Sequence, residues 1–220
     1  MAGRNAARSN ERNLRRQQLL EAAGILFRKH GYQGATVRQI ADATGLTSGS
    51  IFYYFKSKED LLEEVIAQAM ESGLEIVHEN LSTATGSLTR FHALVLAHLS
   101  AITGPLGSAH DVSFRDWKSL PPEAKDRLRT LNQRYRDLWM QVLDDLKSHR
   151  YLLSDTEGFR LYTLAALNWA PARKNLTKSS ELSSAANLFC SISLNLEEQK
   201  FRELCLAEKN MNEPKDVVSK

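Results

Sequence analysis

Residues that break helices or form disulfides are scarce in this sequence. Its 220 residues include two cysteines, five prolines and eleven glycines. The two cysteines, Cys190 and Cys205, are too few for a disulfide framework, so a reducing cytoplasm is the expected location. No apolar run approaches the roughly 18 residues of a membrane span, and the Arg-rich N-terminus has no apolar signal segment. We therefore expect a cytoplasmic protein without a membrane partner.

Catalytic and metal-binding patterns are also scarce. Glu75 and His78 form a single Glu-x-x-His pair, whereas a di-iron helical bundle needs two such pairs and two further glutamates. His92 and His98 are six residues apart and do not share a helical stripe. The chain has no His-Glu-x-x-His, no glycine-rich phosphate loop and no Gly-x-Ser-x-Gly. We expect no enzyme activity, no metal site and no cofactor.

Helical periodicity dominates the sequence instead. In one stretch Leu128, Leu131, Tyr135 and Leu138 step by threes and fours, which is typical of an amphipathic helix. No strand-like alternation or internal repeat is evident, so the prediction is an all-α fold of about nine helices. The predicted helices are 12–30, two short helices that begin at 36 and at 47 or 48, a long helix from about 57 to 80, and helices 87–103, 111–119, 122–149, 155–175 and 179–207.

The segment 37–54 fits a helix-turn-helix closely. Ala41 is small where two helices would cross at a steep angle, and Gly45 permits the left-handed conformation of a tight turn. The remaining constraints are an apolar plug and a helix cap, formed by Ile40, Leu46, Ile51 and Thr47. Two unrelated short helices in a bundle are the alternative, but they would not require these six positions together.

Residues 47–54 would then be the recognition helix. Its first residues are small, which lets the backbone approach a major groove, and its last three are aromatic, which suits thymine methyls and phosphates. Thr36 begins a helix with a capping box, where amide groups favour phosphate. The predicted DNA-contacting residues are Thr36, Arg38, Gln39, Thr47, Ser48, Gly49, Ser50, Phe52, Tyr53, Tyr54, Lys56 and Lys58.

Charge is unevenly distributed along the chain. Residues 1–60 carry ten Lys/Arg against five Asp/Glu, although the net charge of the whole chain is +3. A basic N-terminal quarter favours a polyanionic partner for that part, with a solvated charged surface as the alternative. We predict a flexible basic arm (1–11), a helix-turn-helix DNA-binding domain (12–57), a helical regulatory and dimerisation domain (58–208) and a flexible tail (209–220). The Arg-rich segment before residue 17 would add non-specific charge contacts to DNA or probe the adjacent minor groove.

Residues 12–66 resemble the DNA-binding domain of the TetR family of transcriptional regulators. The most specific part reads Gly-Leu-Thr-Ser-Gly-Ser-Ile-Phe-Tyr-Tyr-Phe-Lys-Ser-Lys-Glu-Asp-Leu-Leu, from Gly45 to Leu62. The resemblance implies a homodimer that binds a palindromic double-stranded DNA operator, acts as a repressor, and is released by a small-molecule effector. Phe52 departs from the tyrosine that the family usually has there, and Tyr54 from a frequent histidine.

The C-terminal half contains the aromatic residues that could line an apolar effector pocket. Ordinary core packing is the alternative for each of them. The predicted ligand-binding residues are Phe91, Phe114, Trp117, Tyr135, Trp139, Tyr162 and Trp169. The segment from Phe114 to Trp117 and Asn168-Trp169 are similar to TetR-family regulators of fatty-acid and steroid catabolism, some of which bind acyl-CoA thioesters. Pro171 is followed by Ala-Arg-Lys rather than by the Gly-Gly that those regulators commonly have.

The stretch 159–170 is apolar on nearly every face, so its helix must bury more than one side. Pairing of the last two helices with those of a second copy would cover the additional side, and the resemblance implies the same arrangement. The predicted dimer residues are Leu164, Leu167, Leu182, Ala185, Phe189, Ile192 and Leu196. A C-terminal bundle that docks a protein partner instead of a small molecule remains the alternative function.

Overall fold

The computed structural model describes residues 2–169, 176 and 178–212, and within these residues it contains ten α-helices and no strand. The all-α prediction is therefore confirmed. The helices are α1 (Ala2–Gly34), α2 (Val37–Thr44), α3 (Ser48–Ile51), α4 (Lys58–Ser82), α5 (Ser87–Thr103), α6 (Gly107–Arg115), α7 (Pro122–Ser148), α8 (Thr156–Trp169), α9 (Ser179–Ser193) and α10 (Glu198–Asn212), with a single 3₁₀ turn at Trp117–Ser119.

The first helix is longer than predicted. It begins at Ala2, so part of the predicted arm 1–11 is helical, because alanine and arginine are strong helix formers. Gly31, the predicted helix end, has φ 71° and ψ 162° and breaks the helical path there. The start of the predicted tail, 209–212, belongs to α10, and residues 213–220 lie outside the described part of the chain.

Other helix boundaries differ in two places. The predicted helix 179–207 is two helices, α9 and α10, because Asn195 takes the left-handed conformation (φ 53°), which asparagine tolerates better than most residues. The Leu196 amide there donates to the Ser191 carbonyl at 2.8 Å. The predicted helix 111–119 starts at Gly107 instead. The end of the predicted helix 155–175 and its Pro171 lie outside the described residues.

Internal contacts divide the chain into two compact units, each built from two segments. Unit 1 comprises Met1–Ser72 and Pro105–Asn132, and unit 2 comprises Gly73–Gly104 and Gln133–Lys220. The functional division at residues 57 and 58 stays a prediction.

In unit 1, α6 fastens the end of the first helical stretch. The Arg115 guanidinium donates to the carbonyl oxygens of Phe27 at 2.7 Å and Arg28 at 3.0 Å. These carbonyls lie just before the break at Gly31. Phe27 is itself fully buried in the core of this unit. Arg115 therefore holds the α1 terminus that precedes the helix-turn-helix segment.

In unit 2, α5 lies against α8, α9 and α10. Its N-terminus is capped by Glu208 of α10, whose carboxylate accepts from the backbone amides of Leu88 at 3.0 Å and Thr89 at 3.2 Å. Gly86 precedes the helix with φ 90°, and a Cβ there would come within 2.5 Å of Glu208 Oε2. The cap therefore depends on a glycine at position 86.

A polar network is buried in the core of unit 2. His98 Nδ1 lies 2.6 Å from the Tyr135 hydroxyl, and His98 Nε2 lies 3.2 Å from Asn168 Oδ1. Because Oδ1 can only accept, Nε2 carries the proton and Tyr135 donates to Nδ1. Burial lowers the pKa of His98 to about 4 and raises that of Tyr135 to about 12. The histidine is therefore held neutral at physiological pH.

The buried neutral histidine predicts acid-sensitive stability. The unfolded chain binds a proton at His98 near the ordinary pKa of about 6.5, whereas the folded chain does so only near 4. Stability should therefore fall as the pH drops from 6.5 towards 4, by about 2 kcal/mol at pH 5 from this residue alone. Urea unfolding between pH 7.5 and 4.5 measures this change. His98→Gln should flatten the profile, and an equally steep profile in that variant would contradict the assignment.

Candidate nucleic-acid interface

Helix α2 is fixed at both ends by local hydrogen bonds. The Thr36 amide donates to Gln39 Oε1 at 2.8 Å, and the Gln39 amide donates to Thr36 Oγ1 at 3.2 Å, which completes a capping box. At the other end Gly45 has φ 67°, and the Leu46 amide donates to the Ala41 carbonyl at 2.9 Å. A residue with a Cβ would be strained at this glycine. The turn between α2 and α3 therefore has the predicted geometry.

The apolar plug of the helix-turn-helix is present. Ile40 and Ile51 are 0% and 1% exposed, Ala41 is 1% exposed, and Leu46 packs against the same core half-buried. Ile51 is the buried residue of the four in α3. Of the other residues of α3, Gly49 is exposed and the two serines are half-buried.

The recognition segment is shorter as a helix than predicted. Thr47 caps α3 by accepting from the Ser50 amide at 3.2 Å, and its hydroxyl lies 2.8 Å from that of Ser50. After Ile51 the chain continues as turns, in which the Tyr54 amide donates to the Ile51 carbonyl at 2.8 Å. This bond spans three residues, as in a turn, rather than the four of an α-helix, and the α-helix ends at Ile51.

All twelve predicted DNA-contacting residues are accessible to solvent. The side chains of Phe52 and Tyr53 are 52% and 67% exposed, so two adjacent aromatic rings lie at the surface. Eight of the twelve are exposed, namely Thr36, Arg38, Gln39, Thr47, Gly49, Phe52, Tyr53 and Lys56, and four are half-buried, namely Ser48, Ser50, Tyr54 and Lys58.

Lys58 has a packing role as well. Its Nζ lies 4.4 Å from the centre of the Tyr32 ring, and the Tyr32 hydroxyl donates to Glu59 Oε1 at 2.7 Å. Burial lowers the pKa of Lys58. Lys56 is exposed, with its backbone amide donating to Asp60 Oδ2 at 2.8 Å. Of these two lysines, Lys56 is the better placed to contact a phosphate.

Sequence reasoning gave two arginines of α1 no individual role beside the recognition segment. The guanidinium carbon of Arg12 lies 5.0 Å from the centre of the Tyr53 ring, and that of Arg16 lies 5.1 Å from the Phe55 ring. Arg16 also pairs with Glu64 at 2.7 Å. The signal in the sequence was the basic charge before residue 17, but charge alone does not indicate which aromatic ring each arginine meets.

The predicted ligand residues do not share one environment. Phe91 and Trp139 are fully buried in the core of unit 2, and Tyr135 contributes to the His98 network. Tyr162 and Trp169, in the same unit, are 81% and 64% exposed, so a role in lining a ligand pocket stays a prediction for them. In unit 1, Phe114 is 63% exposed and Trp117 packs half-buried on the core.

The predicted dimer residues are also corrected in part. Leu167 is fully buried in the core of unit 2 and cannot contact a second copy, whereas Ile192 is 69% exposed. Leu164, Leu182, Ala185, Phe189 and Leu196 are half-buried against the same core. The exposed large apolar side chains of α8 and α9 are instead Leu161, Tyr162, Trp169, Leu188 and Ile192. When a helix has two apolar faces, its sequence does not indicate which face packs against the core of its own chain.

Among the described residues, no group of three or more His, Cys, Asp or Glu side chains is arranged to hold a metal ion. None of the helices in that part of the chain combines the length and apolarity required to cross a bilayer.

Comparisons with known proteins agree with the helix-turn-helix geometry. The profile described as bacterial regulatory proteins, tetR family, matches residues 19–65. The profile described as tetracyclin repressor-like, C-terminal domain, matches residues 84–172. Together the two matches cover more than half of the chain. The chain belongs to the TetR family of transcriptional regulators.

Individual relatives extend this comparison. The HTH-type transcriptional repressor KstR2 of Mycolicibacterium smegmatis is 33% identical over 139 residues, which are 60% of this chain and 64% of that protein. The superantigen PfiT is 32% identical at a TM-score of 0.65, over 81% of this chain and 95% of its own. AibR in complex with isovaleryl coenzyme A and operator DNA is 16% identical at a TM-score of 0.70, over 81% and 97%.

Proposed function

We propose that this protein is a sequence-specific DNA-binding transcriptional regulator, a homodimeric repressor of a palindromic operator that a small apolar or acyl-CoA-like effector releases. The observation that carries the proposal is the exposed surface of 47–54, held outward by a buried plug and capped at Thr47. A helix of this kind enters a major groove, where its first residues meet base edges. The name of the KstR2 relative includes the word repressor, which supports repression rather than activation.

Gly49 is central to the groove contact. It is exposed at the start of the recognition segment, and a Cβ added there would meet Thr47 Oγ1 at 3.9 Å, an ordinary contact. The fold therefore accommodates a methyl group at this position. The same methyl group would prevent the backbone from approaching a base edge closely. A substitution at position 49 can therefore weaken DNA binding without destabilising the fold.

We predict that Gly49→Ala weakens operator binding about tenfold without lowering thermal stability, because the methyl group obstructs a base contact. Fluorescence anisotropy with the DNA upstream of the gene, and with an unrelated duplex of equal length, measures the effect. Binding to the unrelated duplex should not change. Lys56→Ala, which removes a phosphate contact, should weaken both duplexes alike. Wild-type operator affinity in Gly49→Ala would contradict the assigned surface.

Homodimerisation is supported by the apolar surface of α8 and α9. Tyr162, Leu188 and Ile192 are exposed there, and a groove between the two helices is lined by Phe159, Tyr162, Phe189 and Ile192. An apolar surface of this kind is typical of an oligomer interface. A two-fold axis through it would give a four-helix interface.

We predict that Ile192→Glu produces a monomer, because a buried unpaired carboxylate opposes association. Sedimentation velocity at micromolar concentration measures the oligomeric state. Leu206→Glu is the matched control, since Leu206 is 60% exposed on α10 and outside the proposed surface, and this variant should sediment like the wild type. A dimeric Ile192→Glu protein would contradict the interface.

The effector class is supported by one relative. AibR is described in complex with isovaleryl coenzyme A and operator DNA, and we propose the same class of ligand here. Phe91 and Trp139 would then belong to the walls that support the site rather than to its surface, because both are fully buried.

We predict that an acyl-CoA releases the protein from its operator at micromolar concentration. The test is a titration of the preformed protein–operator complex with isovaleryl-CoA and with longer acyl-CoA thioesters. Free coenzyme A and the free acids are the controls. Release by coenzyme A alone would indicate a nucleotide site instead. If no thioester has an effect, docking of a protein partner by the C-terminal bundle becomes the better proposal.

A further inference from the structure

A polar groove lies beside the recognition segment in unit 1. It is lined by Ser9, Glu11, Arg12 and Arg15 of α1 and by Tyr53 and Tyr54. We propose that this groove binds the sugar–phosphate backbone of the operator. In this proposal Arg12 and Arg15 contact phosphates, and Arg12 also positions Tyr53. The inference rests on the proposed DNA-binding function and adds a second contact element to it, the N-terminal part of α1.

Arg12 meets Tyr53 in a geometry that leaves its hydrogen bonds available. The guanidinium carbon lies over the ring, 5.0 Å from its centre, which is a cation–π distance. Among the described residues, no acidic side chain forms an ion pair with Arg12, whereas Arg16 one turn later pairs with Glu64 at 2.7 Å. Donor groups of Arg12 are therefore not taken up by a carboxylate in this part of the chain and can donate to a phosphate.

Tyr53 is held on two sides without being buried. Tyr54 packs edge-on against it with ring centres 5.2 Å apart and an interplanar angle of 87°, and Arg12 stacks on it. The side chain nevertheless stays 67% exposed. A ring ordered before binding loses less conformational entropy on binding. Arg12 is therefore a positioning residue for a predicted DNA contact.

Arg15 supplies the second cation of the groove. It is exposed, and its Nη1 donates to Gln18 Oε1 at 3.1 Å, a neutral partner on the same helix. A phosphate, which accepts charge-assisted bonds, would compete favourably with that amide. Glu11 is the acidic residue among those lining the groove. The described lining residues thus supply two guanidinium groups, a serine and two tyrosines against one carboxylate, and this balance favours an anion.

The test compares charge changes inside the groove with matched changes outside it. Arg129 and Asp126 form an exposed ion pair on α7 of the same unit and do not line the groove, so Arg129→Ala and Asp126→Asn repeat the charge changes outside it. Arg12→Ala and Arg15→Ala should each weaken operator binding about fivefold at ~0.15 M salt and reduce the slope of log affinity against log salt by about one. Glu11→Gln should tighten binding about twofold by the same electrostatics. The control variants should stay within about twofold of wild type, as exposed charges outside the contact surface do.

The positioning role of Arg12 has a separate readout. Arg12→Lys keeps the charge but loses the planar stacking group, so it should restore the salt slope while recovering only part of the affinity. Combining Arg12→Ala with Tyr53→Ala should cost less than the product of the two single effects. The positioning role would be overturned if Arg12→Lys had wild-type affinity. It would also be overturned if the loss of affinity in the double variant equalled the product of the two single losses.

Failure of this inference differs from failure of the proposed function. If wild-type protein binds the operator, Gly49→Ala weakens that binding, and both groove arginine variants match Arg129→Ala, then the groove is not a phosphate site. If wild-type protein binds no DNA at low salt, both proposals fail. Arg12 and Arg15 are exposed, so their alanine variants should fold, and a thermal melt confirms it.

Discussion

The DNA-facing surface depends on one constraint, which is the burial of Ile40, Ala41 and Ile51 in a common core. Helix α3 has four residues, and a helix of one turn has almost no stability of its own in water. It persists because Ile51 is anchored and Thr47 caps its start. The same anchoring turns Gly49, Phe52 and Tyr53 outward. The orientation of the recognition segment is therefore a consequence of hydrophobic burial rather than of helix propensity.

Local features of this region were predictable from the sequence because each depends on residues that are close together along the chain. The capping box at Thr36 and Gln39 requires two residue types three apart, and Gly45 marks the left-handed turn. Gly31 marked the break in α1 for the same reason. These features depend on neighbours along the chain, and the resemblance to the TetR family rested on the same residues.

Long-range arrangements were less predictable. The apolar pattern of α8 is present on two faces, so periodicity could not show that Leu167 faces the core while Tyr162 faces solvent. Asn195 interrupts the last predicted helix, but the helix propensity of a single asparagine is not low enough to predict a break. The stacking of Arg12 on Tyr53 joins residues 41 positions apart, and charge distribution alone cannot specify such a pair. The aromatic residues of the C-terminal half were visible in the sequence, but their division between core and surface was not.

The cap that Glu208 supplies to α5 has a consequence for the order of synthesis on the ribosome. Leu88 and Thr89 are synthesised about 120 residues before Glu208, which supplies their carboxylate acceptor. During that interval the first turn of α5 must be solvated by water or remain frayed. Unit 2 can complete its folding only when nearly the whole chain has emerged. The helix-turn-helix segment, by contrast, has its capping partners within three residues of one another.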